Sequence, residues 1–305
     1  MARRQSGRSV HGWLILDKPA GPTSAAMVAK ARWALAARKA GHAGTLDPAA
    51  TGVLAIALGE ATKTAPFAVE GAKTYRFTVR WGAATTTDDA EGVVVATSAA
   101  RPDAEAIRAA LPAFRGDILQ VPPAVSAVHV DGVRAYALAR AGMAPELAAR
   151  PLHVARLELV ATPDADTAVL EMTCGKGGYV RAVARDLGAA LGCLGHVAGL
   201  RRLHAGPFGL DGAADLATLE RLARTPEIDA LLLPVTAGLA GLPELPAGPR
   251  EALALSHGNP AAFPGAGLPE GAVAWASAEG RPVALGPWRG GMLHPDRVFV
   301  FDRDG

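Results

Sequence analysis

Residues 41–52, GHAGTLDPAATG, hold one carboxylate, one histidine and three glycines with almost nothing bulky between them. A lone acid in so bare a segment, Asp47, can act as a nucleophile or a base if it is ionised and reaches a reacting atom. Two readings fit the loop by itself. Asp47-Pro48 has the residue types of a helix start, an Asp cap followed by Pro in the first turn, although Gly52 leaves room for one turn only. In the other reading the glycines let backbone approach a ligand closely, with Asp47 as the charged group beside it. The loop alone does not choose between them.

The neighbouring segments must position this loop. GWLILDKPAGPTS reads as a short strand, a Pro/Gly turn and a helix start at Thr23-Ser24. The following AAMVAKARWALAARKAG carries Met27, Val28, Ala31, Ala34 and Leu35 at helical spacing and is expected to continue to a stop at Gly41. VLAIAL, residues 53–58, reads as a strand. KTYRFTVRW alternates strictly, with Tyr75, Phe77, Val79 and Trp81 on one face and Thr74, Arg76, Thr78 and Arg80 on the other. LHVARLELVA, AVLEMTC and HVAGLRRLH read as further strands, and DAEAIRAALPAF, YVRAVARDLGAAL and LATLERLAR as helices. Between them, about residues 120–150, the Pro-, Gly- and Arg-containing QVPPAVSAVHVDGVRAYALARAG suggests a mobile arm. Residues 1–8 look like a disordered polar leader. The Pro/Gly-rich residues 241–249 read as a linker, after which short strands and Gly turns dominate. Strands and helices mix without the regular alternation of a doubly wound fold, so the expected class is α+β.

The 305 residues are half hydrophobic and one-fifth charged, with a net charge of +2, which permits a nucleic-acid partner without requiring one. Cys174 and Cys193 are the two cysteines and form no CxxC pair, so neither a disulfide framework nor a cysteine-based zinc site is available. The apolar run WLIL is far too short for a signal peptide, and the apolar stretch from Ala230 is broken by Pro and Gly. A cytoplasmic protein is expected. The sequence lacks G-x-x-x-x-G-K-[ST], an opening G-x-G-x-x-G, H-E-x-x-H and G-x-S-x-G. The chemistry is therefore expected to use side chains alone, with no cofactor and no metal.

Several motifs then line up in order: GWLILDKPAGPTS, GHAGTLDPAATGVLAIALGEATK, KTYRF, RGDILQVPPAVSAVHVDGVRAYALARAG, GKGGYVRAVARDLG and GLRRL. Together, over about residues 9–205, they resemble the tRNA pseudouridine-55 synthases of the TruB type. The resemblance implies a catalytic domain over 9–240 with a mixed, mainly antiparallel central sheet flanked by helices. A small PUA-like RNA-binding domain over 247–305 would follow. It implies isomerisation of one T-loop uridine of tRNA to pseudouridine, with the target base flipped out of its stack. The partner would be the tRNA T-arm, with no membrane, no protein partner and a monomeric enzyme.

The same resemblance assigns residues. Asp47 would be the essential catalytic aspartate, acting by covalent addition or by removing a sugar proton; the sequence leaves that open. Arg181 would pair with the catalytic carboxylate, where an ordinary surface arginine is the plainer reading. Tyr75 would stack on the target base and Tyr179 would contact it in a polar manner and share in the final proton transfer, although both also suit a core. Leu200 would wall the pocket, His42 would enter the T-loop, and Lys18 would support the site; alone these read as core, turn and solvated loop. Three departures stand out: His129 where the arm commonly has Lys, Gly178 in place of Thr before Tyr179, and a looser Asp-rich loop in GAATTTDDAEG. Two other functions remain to be weighed, a synthase for another RNA and a non-catalytic RNA-binding protein or tRNA folding chaperone. Retention of Asp47 favours catalysis.

Overall fold

The alternation in KTYRFTVRW becomes a strand whose odd positions face a core. In a computed structural model, which describes residues 7–126, 128–130, 132–135, 138, 143 and 147–301, Phe77, Val79 and Trp81 of the strand Lys73–Trp81 are buried while Arg76 and Arg80 are exposed. Its neighbour Thr167–Cys174 repeats the pattern and pairs antiparallel, with Tyr75 opposite Met172 and Phe77 opposite Leu170. Arg150–Asp164 and then Gly116–Gln120 extend the sheet in antiparallel register. Gly195–Ala205 lies on the other side of Lys73–Trp81, and Arg201 and Arg202 pair in parallel with Thr51 and Gly52. The sheet is thus mixed and mainly antiparallel.

Val180–Ala190 and Ala104–Ala110 cover this sheet. Val183, Leu187, Ile107 and Leu111 join Phe77, Trp81, Leu170 and Met172 in one apolar cluster. These parts form one compact unit, Pro48–Gly52 with Ala72–His204.

The second unit contains the residues up to Asp47, Val53–Gly71 and those from Ala205 onward. Gly12–Lys18 is almost wholly buried and pairs antiparallel with Leu232–Leu233. Ala40–His42 pairs antiparallel with Thr51–Leu58, matching His42 to Ile56 and Ala40 to Leu58. The helix begins where Thr23 was expected to cap it, the Thr23 hydroxyl accepting from the Ala26 amide at 3.1 Å. It ends at Ala34 rather than continuing to Gly41. Ala36 turns the backbone to φ 49°, and the amide of Arg38 then donates to the carbonyl of Arg8 at 3.1 Å. The apolar spacing continued past the break because Leu35 and Ala37 are buried all the same; periodicity reports burial, and here burial outlasts the helix.

The C-terminal part builds its own sheet, ordered Glu244–Pro246, Val273–Ala278, Arg281–Arg289, Met292–Leu293 and Ala261–Ala262, with Arg297–Val298 also on Arg281–Arg289. It encloses a cluster of Leu245, Leu255, Phe263, Ala276 and Trp288. The Pro-rich stretch read as a linker contains an edge strand of this sheet, with Glu244 opposite Trp275. Proline is tolerated on an edge, where one side of the strand needs no donor. Trp275, Leu285 and Phe299 pack with Trp13, Ile15 and Val53 of the same unit. The chain is therefore α+β, with a small β-rich C-terminal domain. No described helix is long and apolar enough to cross a membrane.

Candidate active site

Asp47 stands in the connection of the hairpin between Ala40–His42 and Thr51–Leu58. No helix follows it: Pro48 and Ala49 form a turn and a strand begins at Thr51, so Asp47 is not a helix cap. Its side chain is exposed, whereas the preceding Leu46 is buried and held on both sides of its peptide. The Ser24 hydroxyl donates to the Leu46 carbonyl and accepts from the Leu46 amide, each at 2.9 Å. A buried serine at the start of a helix thereby fixes the residue before the acid. Two of the three glycines answer to backbone geometry. Gly44 sits at φ 90° and Gly52 at φ 98°, a region costly for other residues. A Cβ at Gly41 would meet nothing within 4 Å.

Lys18 ends the strand Gly12–Lys18 and is 0% exposed, so it is not a solvated loop residue. Its ammonium donates to the carbonyl of Pro19 at 3.0 Å. Burial pulls the Lys18 pKa below its ordinary value, and the Asp47 carboxylate offsets part of that shift. His42 is half-buried and belongs to the strand Ala40–His42 rather than to a turn.

The remaining residues assigned by resemblance lie in the other unit. Tyr75 is half-buried against the apolar cluster. Its hydroxyl is hydrogen-bonded to the guanidinium of Arg202, which is 2% exposed and whose pKa burial lowers. Tyr179 precedes the helix Val180–Ala190, and the buried Gln120 side chain grips its backbone twice. Gln120 Nε2 donates to the Tyr179 carbonyl at 3.2 Å, and the Tyr179 amide donates to Oε1 at 2.9 Å. Arg181, in the first turn of that helix, donates to the carbonyls of Thr87 at 2.9 Å and Val125 at 3.0 Å. It also faces Asp89 at 3.4 Å, with its side chain only 11% exposed. One turn on, Arg185 pairs with Asp88 at 3.0 Å and donates to the Val121 carbonyl at 2.8 Å. The two arginines therefore tie both the Asp88–Asp89 loop and the start of the arm to one helix. Burial raises the Asp88 pKa, against the pull of Arg185. Leu200 lines a cavity of about 320 Å³ with Ala49, Thr51, Arg76, Thr78 and Arg201.

Sequence reasoning gave no site role to Gln120, Asp88, Asp89, Arg185 or Arg202, and it read Ser24 only as part of a helix start. Each lay in a quoted stretch, but as an ordinary polar residue until tertiary contacts pair it. The Gly178 departure has a local reason. A Cβ there would lie 2.5 Å from the Cys174 sulfur and 3.2 Å from Leu152 Cδ1, so a side chain at 178 would displace the Cys174 thiol. Burial pushes that thiol up to about 11. His129 is exposed in the short hairpin of His129–Val130 with Val133–Arg134. Arg140, within the arm, lies outside the described residues.

Residues 32–180 match the N-terminal domain of TruB family pseudouridylate synthases, and residues 181–240 the tRNA pseudouridylate synthase B C-terminal domain. The tRNA pseudouridine synthase B of Dinoroseobacter shibae is 60% identical over 299 residues, covering 98% of each chain. That of Ruegeria pomeroyi is 60% identical over 301 residues, covering 98% of this chain and 99% of its own. In a crystal structure of a Cbf5-Nop10-Gar1 complex, a chain with 25% identity superposes with a TM-score of 0.76, covering 95% of this chain and 85% of that one. Fold and matched domains define a pseudouridine synthase, an isomerase acting on uridine in RNA. Within that class, the chain belongs to the TruB family.

Proposed function

We propose that this enzyme converts uridine 55 in the T-loop of tRNA to pseudouridine, with Asp47 as its essential group. The names of its relatives support tRNA as the substrate. The observation that carries the assignment of Asp47 is the support built around it. A buried serine clamps the preceding peptide, while a fully buried lysine carries an ammonium attracted to its carboxylate. The reaction breaks the C1′–N1 bond, turns the base and joins C5 to C1′, after which C5 gives up its proton and N1 takes one up. No electron or phosphoryl group changes hands, so ionised side chains suffice. A base stacked within the T-loop must first leave its stack, at a cost of a few kcal/mol.

The family motifs add Arg181 and Tyr179 as catalytic residues and Tyr75, His42, Leu200 and Lys18 as substrate-binding ones. Stacking of one base on Tyr75 would contribute about 1–3 kcal/mol. The proposed division is a leader over 1–8, a catalytic domain over 9–240 with its arm at about 120–150, and an RNA-binding domain over 247–305. The enzyme is proposed to act in the cytoplasm as a monomer.

The test is Asp47→Asn, which keeps the volume and removes the charge. Incubated with unmodified tRNA transcript and mapped at single-nucleotide resolution, it is expected to form no pseudouridine while binding tRNA as the parent does. Substantial turnover by the variant would remove Asp47 from the essential role. Modification elsewhere in the RNA would point to another target, and tRNA folding without modification by the parent would point to a chaperone.

A further inference from the structure

Among the described residues, Arg202 couples a buried charge to a side chain assigned to the substrate. A guanidinium with 2% exposure gives up most of its hydration and must be repaid by hydrogen bonds. Arg202 bonds to the hydroxyl of Tyr75, a residue on a neighbouring strand. A planar guanidinium offers several N–H groups in a fixed fork, so it limits where a bonded phenol oxygen can lie. The base of this fork is itself fixed. The Arg202 backbone runs in parallel register with Gly52, so close that a Cβ at Gly52 would lie 2.1 Å from the Arg202 carbonyl oxygen. Thr51 adds a hydroxyl contact to the Leu200 carbonyl at 3.4 Å on the same strand.

We infer that Arg202 is a positioning residue, which holds the Tyr75 ring by its hydroxyl in the orientation that receives the target base. This rests on the reading of Tyr75 as the stacking residue. The ring alone could tip about its Cα–Cβ and Cβ–Cγ bonds; bonding at its far end removes that freedom. Arg202 thus acts on the reaction through Tyr75, without touching the RNA.

The experiment uses the full chain with Arg202→Met, Arg202→Lys and Tyr75→Phe. Arg202→Met removes the fork, Arg202→Lys retains the charge without it, and Tyr75→Phe removes the hydroxyl. Single-turnover rates at saturating tRNA are compared with tRNA affinity. In Arg202→Met the rate should fall about ten-fold or more while affinity stays within about two-fold, because misplacement of a positioning group is felt in the chemical step. The chain has three tyrosines, so tyrosine-selective 13C spectra are sparse, and Tyr75→Phe identifies the Tyr75 Cζ signal. That signal should move in Arg202→Met while the Tyr179 signal stays.

An unchanged rate, an unmoved Tyr75 signal, or an affinity loss equal to the rate loss would each overturn the inference. Should Arg202→Met not melt cooperatively, Arg202→Lys carries the same test, and failure of both to fold would assign Arg202 to folding alone. A parent enzyme inactive on tRNA would instead sink the proposed function, and the free-protein Cζ shift would still report on the Arg202–Tyr75 bond.

Discussion

Lys18 shows what burial does to a single ionisable residue. Its lowered pKa means that, between that value and the ordinary 10.5, the folded chain binds fewer protons than the unfolded one. Stability from this group therefore rises with pH across that window, as the cost of burying the ammonium is relieved. Below the window the cost is paid in full. Lys18→Met lacks the titration, so the melting temperature of the parent should climb relative to Lys18→Met as the buffer is raised from about pH 7 toward about pH 10. A constant difference across that range would show that Lys18 is not buried as a charge. In the same variant, loss of the attraction to Asp47 should slow pseudouridine formation. Together with Asp47→Asn, this separates the group proposed to react from the one proposed to support it.

At the scale of elements, the parallel pairing of Thr51 and Gly52 with Arg201 and Arg202 leaves no room for a side chain at Gly52, close to the Asp47 loop. Gly52 combines φ 98° with a carbonyl oxygen where a side chain would begin. Neither strain can be relaxed by turning a rotamer. Gly52→Ala should therefore lose about 3 kcal/mol or more of stability, the sum of a disallowed backbone angle and a backbone clash. Urea unfolding measures it, and a loss below about 1 kcal/mol would mean that the strand pair moves apart at little cost. The helix Val180–Ala190 works in a similar way through side chains, since Arg181 and Arg185 grip the carbonyls of Thr87, Val125 and Val121.

For the whole molecule, the question is whether the C-terminal β-rich part can be removed. Trp275, Leu285 and Phe299 are buried in the cluster that holds Trp13, and Lys63 donates to the Val298 carbonyl at 2.8 Å. A chain ending at Leu242 would leave that face of the cluster in water. Each large apolar side chain exposed in this way costs roughly 1.5–3 kcal/mol, against a total stability of roughly 5–15 kcal/mol. The truncated chain is thus expected to melt far below the parent or not to fold cooperatively, as thermal circular dichroism would show. A melting temperature equal to the parent's would make the C-terminal part a separable attachment.

Much of this protein was legible before any tertiary contact. The alternation in KTYRFTVRW gave a strand and its buried face, because a strand's side chains obey a period of two whatever surrounds them. Thr23 announced the start of its helix, because capping is local. The ordered motifs gave the family, and through it the candidate residues. Other decisions needed the folded chain. Local sequence could not end the first helix at Ala34, since Leu35 and Ala37 stay buried beyond it. It could not choose between Asp47 as a cap and Asp47 in an open hairpin loop, since both suit Asp-Pro. Lys18 looked like a solvated lysine, and nothing in its motif marked Gln120. Nothing local separates a buried cation from an exposed one, for burial is set by residues distant in the chain. Arg202 is the clearest case: its motif was visible, but its bond to Tyr75 arises only when strands well over a hundred residues apart in sequence become neighbours.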